Sequence, residues 1–328
     1  MLMDPFGRPV TYLRISVTDR CNLRCVYCMP PEGVAWQPHD HILRYEEIME
    51  VVRAAAAHGV REFRLTGGEP LVRKNLADLV RMMAKTEGVE DISLTTNGLL
   101  LENQIEALAE AGLKRINVSL DTLNPEKFAR ITRGGSLEKV WRGLEKAEAV
   151  GIEPIKINVV MMRGVNDDEL VDLAKISLQR PWHIRFIEMM PVNNQQPWGE
   201  GFPDPREAYY SILEVMELLQ PLNLQAEDGK IGRGPAKTYR LEGAVGKVGF
   251  ISPVGEQFCE QCNRLRLTAD GHLRPCLLTD VEVPVLSALR NGEPVWPLIQ
   301  QAVLLKPSSH DLQNKAHPYQ RCMIQIGG

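Results

Sequence analysis

The chain has 328 residues and a net charge of −4, and its hydrophobic (44%) and charged (24%) fractions are ordinary for a globular protein. Its length favours one large domain with an appendage, or two domains, over a single small core. No basic excess points to nucleic acid or to an anionic membrane, and no apolar run approaches the ~18 residues of a membrane span.

Over the first two thirds of the chain, short β-branched runs alternate with amphipathic helical runs. The predicted strands cover residues 11–17, 61–66, 91–96, 115–120, 155–160 and 183–188, and the predicted helices cover residues 42–59, 75–87, 102–110, 124–132, 136–149 and 167–178. Six such units predict a parallel sheet with right-handed crossovers, and hence an α/β fold. The periodicity does not distinguish an open sheet from a sheet curled into part of a barrel.

The pattern changes after residue 190. Residues 191–207 are polar and rich in Pro and Gly, which is typical of a loop. Beyond them the sequence predicts one helix and then three short strands, at residues 207–219, 237–241, 247–251 and 264–268. Asp270-Gly271 indicates a tight hairpin turn after the last strand. We therefore expect a domain boundary near residue 230, between a domain of residues 5–230 and a smaller one of residues 231–328.

The stretch DRCNLRCVYCMP (19–30) places Cys21, Cys25 and Cys28 in one loop after the first predicted strand. The N-terminal MLMDPFGRPV has no secretory signal pattern, so we expect a reducing, cytoplasmic compartment in which cysteines bind metal or catalyse. Three thiolates from one loop suit an iron–sulfur cluster or zinc, and buried structural cysteines are the plainer alternative. A three-cysteine loop leaves one iron of a four-iron cluster open to a substrate or cofactor.

The stretch LTGGEP (65–70) lies at the end of the second predicted strand. Gly67 and Gly68 lack a Cβ, so a ligand can approach the backbone closely, while Glu69 adds an acceptor and Pro70 restricts the turn. In isolation, Gly-Gly-Glu-Pro is more typical of an ordinary strand-to-helix turn than of a ligand site. Its position at the C-terminal end of a strand, where βα folds place their chemistry, favours a binding role.

A second thiol trio, Cys259, Cys262 and Cys276, has the spacing C-x2-C-x13-C. A two-residue hairpin turn at Asp270-Gly271 would return Cys276 toward Cys262 and pair it with Leu265. The spacing alone is compatible with a second iron–sulfur cluster and equally with a structural zinc site that has His272 as its fourth ligand. The iron–sulfur loop elsewhere in the chain favours the cluster.

The C-x3-C-x2-C loop resembles the signature of radical S-adenosylmethionine (SAM) enzymes, in which an aromatic residue such as Tyr27 precedes the third cysteine. The resemblance implies that Cys21, Cys25 and Cys28 ligate a 4Fe–4S cluster whose fourth iron binds SAM, and that Gly-Gly-Glu holds the SAM amino group. It also implies a partial (βα)6 TIM-type barrel with a smaller C-terminal α+β domain that carries a second Fe–S cluster.

Together, YLRISVTDRCNLRCVYCMP, CNRLRLTADGHLRPCL and the terminal IQIGG resemble the radical SAM family that cyclises GTP in the first step of molybdenum cofactor biosynthesis. This implies a 5′-deoxyadenosyl radical that takes hydrogen from C3′ of GTP, after which C3′ attacks C8 of guanine. The second cluster, held by Cys259, Cys262 and Cys276, would bind the guanine, and the terminal Gly-Gly would reach the site. A homodimer and delivery of the product to cyclic pyranopterin monophosphate synthase are also implied, without nucleic acid or membrane partners.

The same resemblance implies individual roles for residues that match the family motifs. The SAM contacts would be Tyr27, Gly68, Ser119 and Met190; the GTP contacts would be Arg14, Arg64, Thr95, Lys156, Arg264, Leu265 and Arg266; and the catalytic residues would be Arg14, Arg264 and Arg266. On pattern alone, Arg264 and Arg266 share a face that is solvent by default, Lys156 could be a solvated strand-end lysine, and Met190 would be core.

Two rival hypotheses remain from the sequence. One is another radical SAM enzyme with an auxiliary cluster that matures a peptide or modifies RNA, and the other is a non-enzymatic zinc-binding interaction protein. Cys322 is expected to be buried or free, and His39 and His41 have no partner motif. We expect Asp121, Asn166 and Asp167 to be helix caps and turn residues.

Overall fold

The computed structural model describes residues 2–190, 197–227, 235–256, 258–310 and 320–327. Within these ranges twelve strands form one sheet. The strands are β1 (Tyr12–Ser16), β2 (Glu62–Thr66), β3 (Asp91–Thr96), β4 (Arg115–Ser119), β5 (Ile155–Met161), β6 (His183–Glu188), β7 (Gln225–Ala226), β8 (Lys237–Arg240), β9 (Lys247–Ile251), β10 (Arg264–Leu267), β11 (His272–Arg274) and β12 (Val283–Pro284).

The same described ranges contain nine α-helices. They are α1 (Tyr45–Ala57), α2 (Leu76–Ala84), α3 (Leu101–Glu110), α4 (Pro125–Thr132), α5 (Leu137–Ala149), α6 (Leu170–Gln179), α7 (Ile212–Leu219), α8 (Leu286–Arg290) and α9 (Trp296–Leu304). Among these described helices, none has both the length and the apolar character required to cross a bilayer.

The first six strands confirm the predicted βα alternation. β1 to β6 lie side by side in chain order, every neighbouring pair is parallel, and at least one helix connects each strand to the next. Parallel pairing places the C-terminal ends of these strands along one edge of the sheet. Loops that follow the strands therefore meet at that edge, which is where βα folds assemble their sites.

The C-terminal strands extend both sides of this parallel array. β9 pairs in parallel with β6, and β10 pairs in parallel with β1, whereas β7–β8 and β11–β12 add antiparallel pairs. The result is an α/β fold with a mixed sheet. The expected domain boundary near residue 230 lies in 228–234, outside the described residues, and stays a prediction.

The two faces of the sheet differ in chemistry. Leu13 and Ile15 of β1 are at most 1% exposed and belong to the main apolar core with Ile48 of α1. Successive side chains of a strand point to opposite faces, so Arg14 projects away from that helix-covered core. One face of the sheet thus provides the hydrophobic stabilisation, and the other can carry polar chemistry.

The predicted helix at 207–219 is wrong at its start, because α7 begins only at Ile212. Ser211 caps it: its hydroxyl accepts from the N–H of Glu214 at 3.3 Å, and the Glu214 carboxylate accepts from the N–H of Ser211 at 3.0 Å. This reciprocal Ser-x-x-Glu pair satisfies two N–H groups that the first helical turn leaves unbonded. The capping pattern in the sequence was the signal for the true start.

The predicted two-residue hairpin turn is also wrong by one residue. β10 and β11 pair Arg266 with Arg274 and Leu267 with Leu273, and the N–H of Thr268 donates to the carbonyl of His272 at 2.9 Å. The loop therefore has three residues and ends on Gly271, whose φ of +75° a glycine adopts without strain. This register does not pair Cys276 with Leu265.

Candidate functional site

The first thiol trio lies in the loop after the C-terminal end of β1. Cys21, Cys25 and Cys28 form no disulfide, and the N–H of Cys28 donates to the carbonyl of Cys25 at 3.0 Å. Burial raises the pKa of all three thiols, that of Cys28 to about 12, and neighbouring thiols of the trio raise it further in Cys25 and Cys28. The three sulfurs are therefore near one another in a loop that excludes much of the water.

This loop has the donors that an iron–sulfur cluster requires. The N–H of Leu23 donates to the sulfur of Cys21 at 3.4 Å and the amide of Asn97 lies 3.8 Å from it, contacts that stabilise an iron-bound thiolate. In the described part of the chain, no three His, Cys, Asp or Glu side chains converge as ligands of a single metal ion. Cysteines of a cluster each bind their own iron and need no common point, so the trio fits such a cluster.

The glycine turn after β2 packs directly on this cysteine loop. The N–H of Gly68 donates to the carbonyl of Thr18, and the N–H of Glu69 donates to the carbonyl of Arg20, each at 2.8 Å. A Cβ on Gly68 would lie 2.2 Å from the carbonyl oxygen of Arg20. The second glycine is therefore required by the close approach of two backbones, and it fixes the turn beside Cys21.

Glu69 joins the ends of β2 and β3. Its buried carboxylate accepts from the N–H groups of Leu71 and Asn97, at 3.0 and 2.6 Å, and from the hydroxyl of Thr96 at 2.7 Å. Burial raises the pKa of Glu69 to about 7, although these hydrogen bonds oppose the shift. Because Asn97 also contacts Cys21, Glu69 couples the position of the glycine turn to that of the cysteine loop.

The strand register places most predicted site residues on one face of the sheet. Arg14 pairs directly with Arg64 and with Arg266, and paired residues of neighbouring strands project to the same side. Continuing the register through the remaining parallel strands, this polar face holds Arg14, Arg64, Thr95, Asn117, Ser119, Lys156, Arg185, Arg264 and Arg266. Leu265 is the exception: its side chain is 2% exposed and packs in the apolar core, so only its backbone can reach a ligand on the polar face.

The cations of this face repel one another. Burial lowers the pKa of Lys156 to about 6 and that of Arg185 to about 9, and neighbouring arginines add to both shifts. Burial and then Arg264 lower the pKa of Arg266 to about 10. Within the described residues, Arg64, Lys156, Arg185 and Arg266 form no ion pair with a carboxylate. Buried basic side chains that form no direct ion pair are stabilised by an anionic ligand.

Thr95 and Tyr27 both carry a hydroxyl on the site, but they differ in their hydrogen bonding. The Thr95 hydroxyl is buried and has no hydrogen-bond partner among the described residues, which is what a missing ligand would leave. Tyr27 donates to the carboxylate of Asp121 at 2.8 Å, and Asp121 also accepts from the N–H of Val160 at 2.8 Å. Burial raises the pKa of Asp121 to about 6. Asp121, which we expected to be a cap or turn residue, instead bonds Tyr27 and the backbone of Val160, and it orients Tyr27 within the cysteine loop.

The second thiol trio lies at the opposite end of the same strands. Cys259 and Cys262 precede the N-terminal end of β10, whereas the first trio follows the C-terminal end of its parallel neighbour β1. Burial raises the pKa of Cys276, with Cys262 and Cys259 adding to the rise, so the hairpin brings all three thiols together. A five-residue strand spans about 16 Å, and the cations of the polar face lie along it between the two trios.

His272 is engaged elsewhere on the hairpin. Its Nδ1 lies 3.4 Å from the carboxylate of Asp270 and 3.3 Å from Nη2 of Arg321. This position gives no support to His272 as the fourth ligand of a zinc site. The trio fits a cluster for the same reason as the first one does.

The C-terminal segment reaches the cations. The carbonyl of Gly327 accepts from Arg14 at 2.8 Å, from Thr66 at 3.2 Å and from Arg266 at 3.3 Å. Upstream, Arg321 donates to Asp270 at 2.9 Å and pairs with Glu282 at 2.7 Å. The segment 320–327 therefore connects the second-trio hairpin to the polar face.

A small apolar cluster lies around Leu278. It contains Met190, Met323 and Cys276. Sequence reasoning assigned Met190 to SAM only through the family motif. In the structure Met190 and Cys276 both pack against Leu278.

Arg185 is a site residue that the sequence reasoning missed. It lies on the polar face, is 9% exposed, and donates to the side-chain carbonyl of Asn117 at 3.3 Å. The available signal was a charged residue within an apolar strand: Arg185 in HIRFIE, as Lys156 in IKINVV. Asn166 and Asp167 do serve in a turn, as expected: they accept from the N–H groups of Met162 and Gly164 at 2.8 and 2.9 Å.

Comparison with known proteins divides the chain into two matched regions. Residues 15–176 match the Radical SAM superfamily, and residues 182–312 match Molybdenum Cofactor Synthesis C. The chain is 50% identical to the GTP 3′,8-cyclase of Pelotomaculum thermopropionicum and 48% identical to that of Moorella thermoacetica, and each alignment covers the whole of both chains. In fold it is similar to Streptococcus suis SuiB bound to S-adenosylmethionine, with a TM-score of 0.60 at 15% identity over 89% of this chain and 68% of SuiB.

Proposed function

The chain belongs to the GTP 3′,8-cyclase family of radical SAM enzymes, and on this premise we propose that it converts GTP to (8S)-3′,8-cyclo-7,8-dihydroguanosine 5′-triphosphate, the first step of molybdenum cofactor biosynthesis. One observation of the structure supports this function most directly. A face of buried cationic side chains lies along strands that have a thiol trio at either end, and Arg64, Lys156 and Arg266 form no ion pair with a carboxylate of the described residues. Such a face fits a triphosphate held between two metal centres.

The cysteine loop after β1 is the proposed site of the 4Fe–4S cluster and SAM. Cys21, Cys25 and Cys28 would hold the cluster, which would supply the electron for SAM cleavage. The N–H of Gly68 is engaged by Thr18, and its carbonyl, beside the loop, is the group proposed to accept from the SAM amino group. Tyr27, Ser119 and Met190 complete the proposed SAM contacts. Asp121 holds the Tyr27 ring in place through its hydroxyl.

The polar face is the proposed GTP site. Arg14, Arg64, Lys156, Arg264 and Arg266 are assigned to the nucleotide, because several buried cations together match the charge of a triphosphate. In addition, the unpartnered hydroxyl of Thr95 and the backbone of Leu265 can hydrogen-bond the same ligand. Holding the ribose and guanine in one orientation is the main task of these residues, since bond formation needs atoms near contact distance.

Arg14, Arg264 and Arg266 are the proposed catalytic residues. Arg14 and Arg266 are paired neighbours on the two parallel strands that connect the trios, and both reach the carbonyl of Gly327. Arg264 lies one pleat closer to Cys262, with its guanidinium 5.0 Å from the ring centroid of Phe258. Their fixed positive charges can hold the nucleotide while water is excluded by the docked C-terminal segment.

The second trio is the proposed site of a second 4Fe–4S cluster, held by Cys259, Cys262 and Cys276. With these three protein ligands such a cluster would have one iron open to the guanine of GTP. The second trio lies at the far end of the polar face from the first trio. This position supports the assignment of the guanine end of GTP to the second trio. Iron and sulfide analysis after anaerobic reconstitution should give about two clusters per chain, and a content of about one would reject the second cluster.

We also propose the finer architecture. The consecutive parallel strands β1 to β6 support a partial (βα)6 TIM-type barrel within residues 5–230, and the match of residues 182–312 to a separate family supports a smaller α+β domain within 231–328. A homodimer, and delivery of the product to cyclic pyranopterin monophosphate synthase, follow from the family assignment. Light scattering of the reconstituted protein would test the dimer.

The decisive experiment is anaerobic turnover of the reconstituted protein with SAM, dithionite and GTP. The proposed function requires a cyclised GTP product together with 5′-deoxyadenosine. SAM cleavage without any change to GTP would favour a radical SAM enzyme with another substrate. Zinc without iron in the purified protein would favour the non-enzymatic interaction protein.

A further inference from the structure

Lys306 is a buried ammonium group at the second thiol trio. It follows α9, its residue is 4% exposed, and no motif in the sequence indicated a role for it. Its Nζ donates to the carbonyl of Arg264 at 2.7 Å and to the carbonyl of Pro275 at 3.1 Å, and it lies 3.7 Å from the sulfur of Cys262. An ammonium has three N–H bonds, and each has one acceptor here.

These three contacts connect both arms of the hairpin that carries the thiols. Arg264 follows Cys262 by two residues, and Pro275 immediately precedes Cys276. The ammonium therefore lies between the two arms, where one side chain restrains the backbone beside two cysteines and also contacts the sulfur of one of them.

Arg8 also bonds the backbone near this trio, but its charge is neutralised by a carboxylate. Its guanidinium donates to the carbonyl of Cys259 at 2.7 Å and to the carbonyls of Pro307 and Ser308 at 2.6 and 2.8 Å. Asp4 neutralises it through an ion pair of 2.5 Å. Lys306 has no ion pair with a carboxylate of the described residues, so near the second trio its charge remains available to the sulfurs.

The sulfur that Lys306 contacts has a cation directly beside it. The ammonium donates toward the sulfur of Cys262 at 3.7 Å. A positive charge at this distance favours the thiolate, which is the state in which a cysteine ligates iron.

We propose that Lys306 is a positioning residue for the second cluster: it holds the Cys262 thiolate as a ligand through a charged hydrogen bond and stabilises the reduced form of the cluster. This inference rests on the proposed second cluster. Hydrogen bonds to cluster sulfurs and the charge of the surroundings set the potential of an iron–sulfur centre. A fixed positive charge favours the form with one more electron, so it makes the reduction potential less negative.

The test compares full-length Lys306→Met, Lys306→Gln and Lys306→Arg, each in a Cys21→Ala/Cys25→Ala/Cys28→Ala background that leaves only the second trio. Electron paramagnetic resonance during an anaerobic redox titration gives the midpoint potential of the remaining cluster. The potential should shift to more negative values in the Met and Gln variants and return toward that of the Lys306 parent in the Arg variant. Iron content per chain is measured in parallel.

The outcomes separate this inference from its premise. A parent protein without any cluster in this background would reject the proposed second cluster itself. A parent cluster whose potential is the same with Met, Gln and Arg would overturn the role of Lys306. Loss of iron in the Met and Gln variants with retention in the Arg variant would support it, because charge is then what retains the cluster. Loss of iron in all three variants would mean that the shape of the Lys306 side chain, and not its charge, retains the cluster, and this would overturn the proposal.

Discussion

Replacing Gly68 with Ala is expected to separate the glycine turn from the cysteine loop. The new Cβ would lie 2.2 Å from the carbonyl oxygen of Arg20 and 2.5 Å from its carbonyl carbon, both backbone atoms that cannot rotate away. Side-chain atoms need at least 3.0 Å, so one of the two backbones has to move by about 0.8 Å. The residue after Arg20 is Cys21, and the movement therefore reaches a cluster ligand.

The cost can be assembled from the contacts that the movement breaks. Two backbone hydrogen bonds of 2.8 Å join the turn to the loop, at about 1 kcal/mol each, and overpacking of a tight site adds about 1–3 kcal/mol. We expect a loss of about 3–5 kcal/mol in the free energy of unfolding. Since a displacement of about 1 Å near the reacting centre can cost ~10²-fold in rate, SAM cleavage should fall by about that factor.

The matched control is Gly151→Ala, after α5. Gly151 has a φ of +80° and nothing within 4 Å of a new Cβ, so the variant is subject to backbone strain of about 1–2 kcal/mol but to no clash. Urea denaturation of both variants and quantification of 5′-deoxyadenosine in single-turnover reactions provide the comparison. If Gly68→Ala cleaves SAM as fast as Gly151→Ala, the packing argument for the glycine turn fails.

Three further predictions concern the polar face, the two trios and the C-terminal segment. Lys156 has a pKa of about 6 in the ligand-free protein, so its amine is mostly neutral above pH 6. An adjacent triphosphate raises that pKa, and GTP binding therefore takes up protons. The affinity for GTP should consequently fall by up to about tenfold per pH unit above 6. Calorimetry in buffers of different ionisation enthalpy measures the uptake, which Lys156→Met should abolish, and a pH-independent wild-type affinity would contradict the assignment. Cys276→Ala should retain SAM binding but not GTP turnover, whereas Cys25→Ala should stop SAM cleavage; the reverse pattern in product assays would exchange the roles of the trios. Arg321→Gln should release the C-terminal segment and increase its cleavage by protease at least tenfold, while Arg142→Gln, which also removes two ion pairs, should leave the cleavage rate unchanged.

Several features of the site follow from local sequence alone. The βα alternation identified the parallel strands. Apolar residues repeat every two positions in a strand and every 3.6 positions in a helix, and a few neighbouring residues are enough to show either pattern. The same alternation put Arg264 and Arg266 on one face and Leu265 on the other. A charge inside an apolar strand marked Lys156 as a residue that needs an anion or water. The clustering of thiols in each trio was readable because its members lie close in the chain.

Other features have no local signal. The Cys21 loop and Cys259 are more than 200 residues apart, and only the parallel pairing of β1 with β10 places them at the two ends of one polar face. Lys306 and Arg8 look like ordinary surface residues until the chain folds their charges onto the cysteine backbone. Local sequence also did not indicate that the hairpin loop has three residues, not two, and that it ends on Gly271.

The physical reason for this division lies in the range of the interactions. Element type, strand face and ligand chemistry are decided by neighbours in sequence, through backbone sterics and side-chain identity. Which strands become neighbours, and which buried charge meets which sulfur, is decided by burial of apolar surface over the whole molecule. The sequence by itself therefore determined what the two thiol trios could bind, and the tertiary structure alone decided that a row of cations would lie between them.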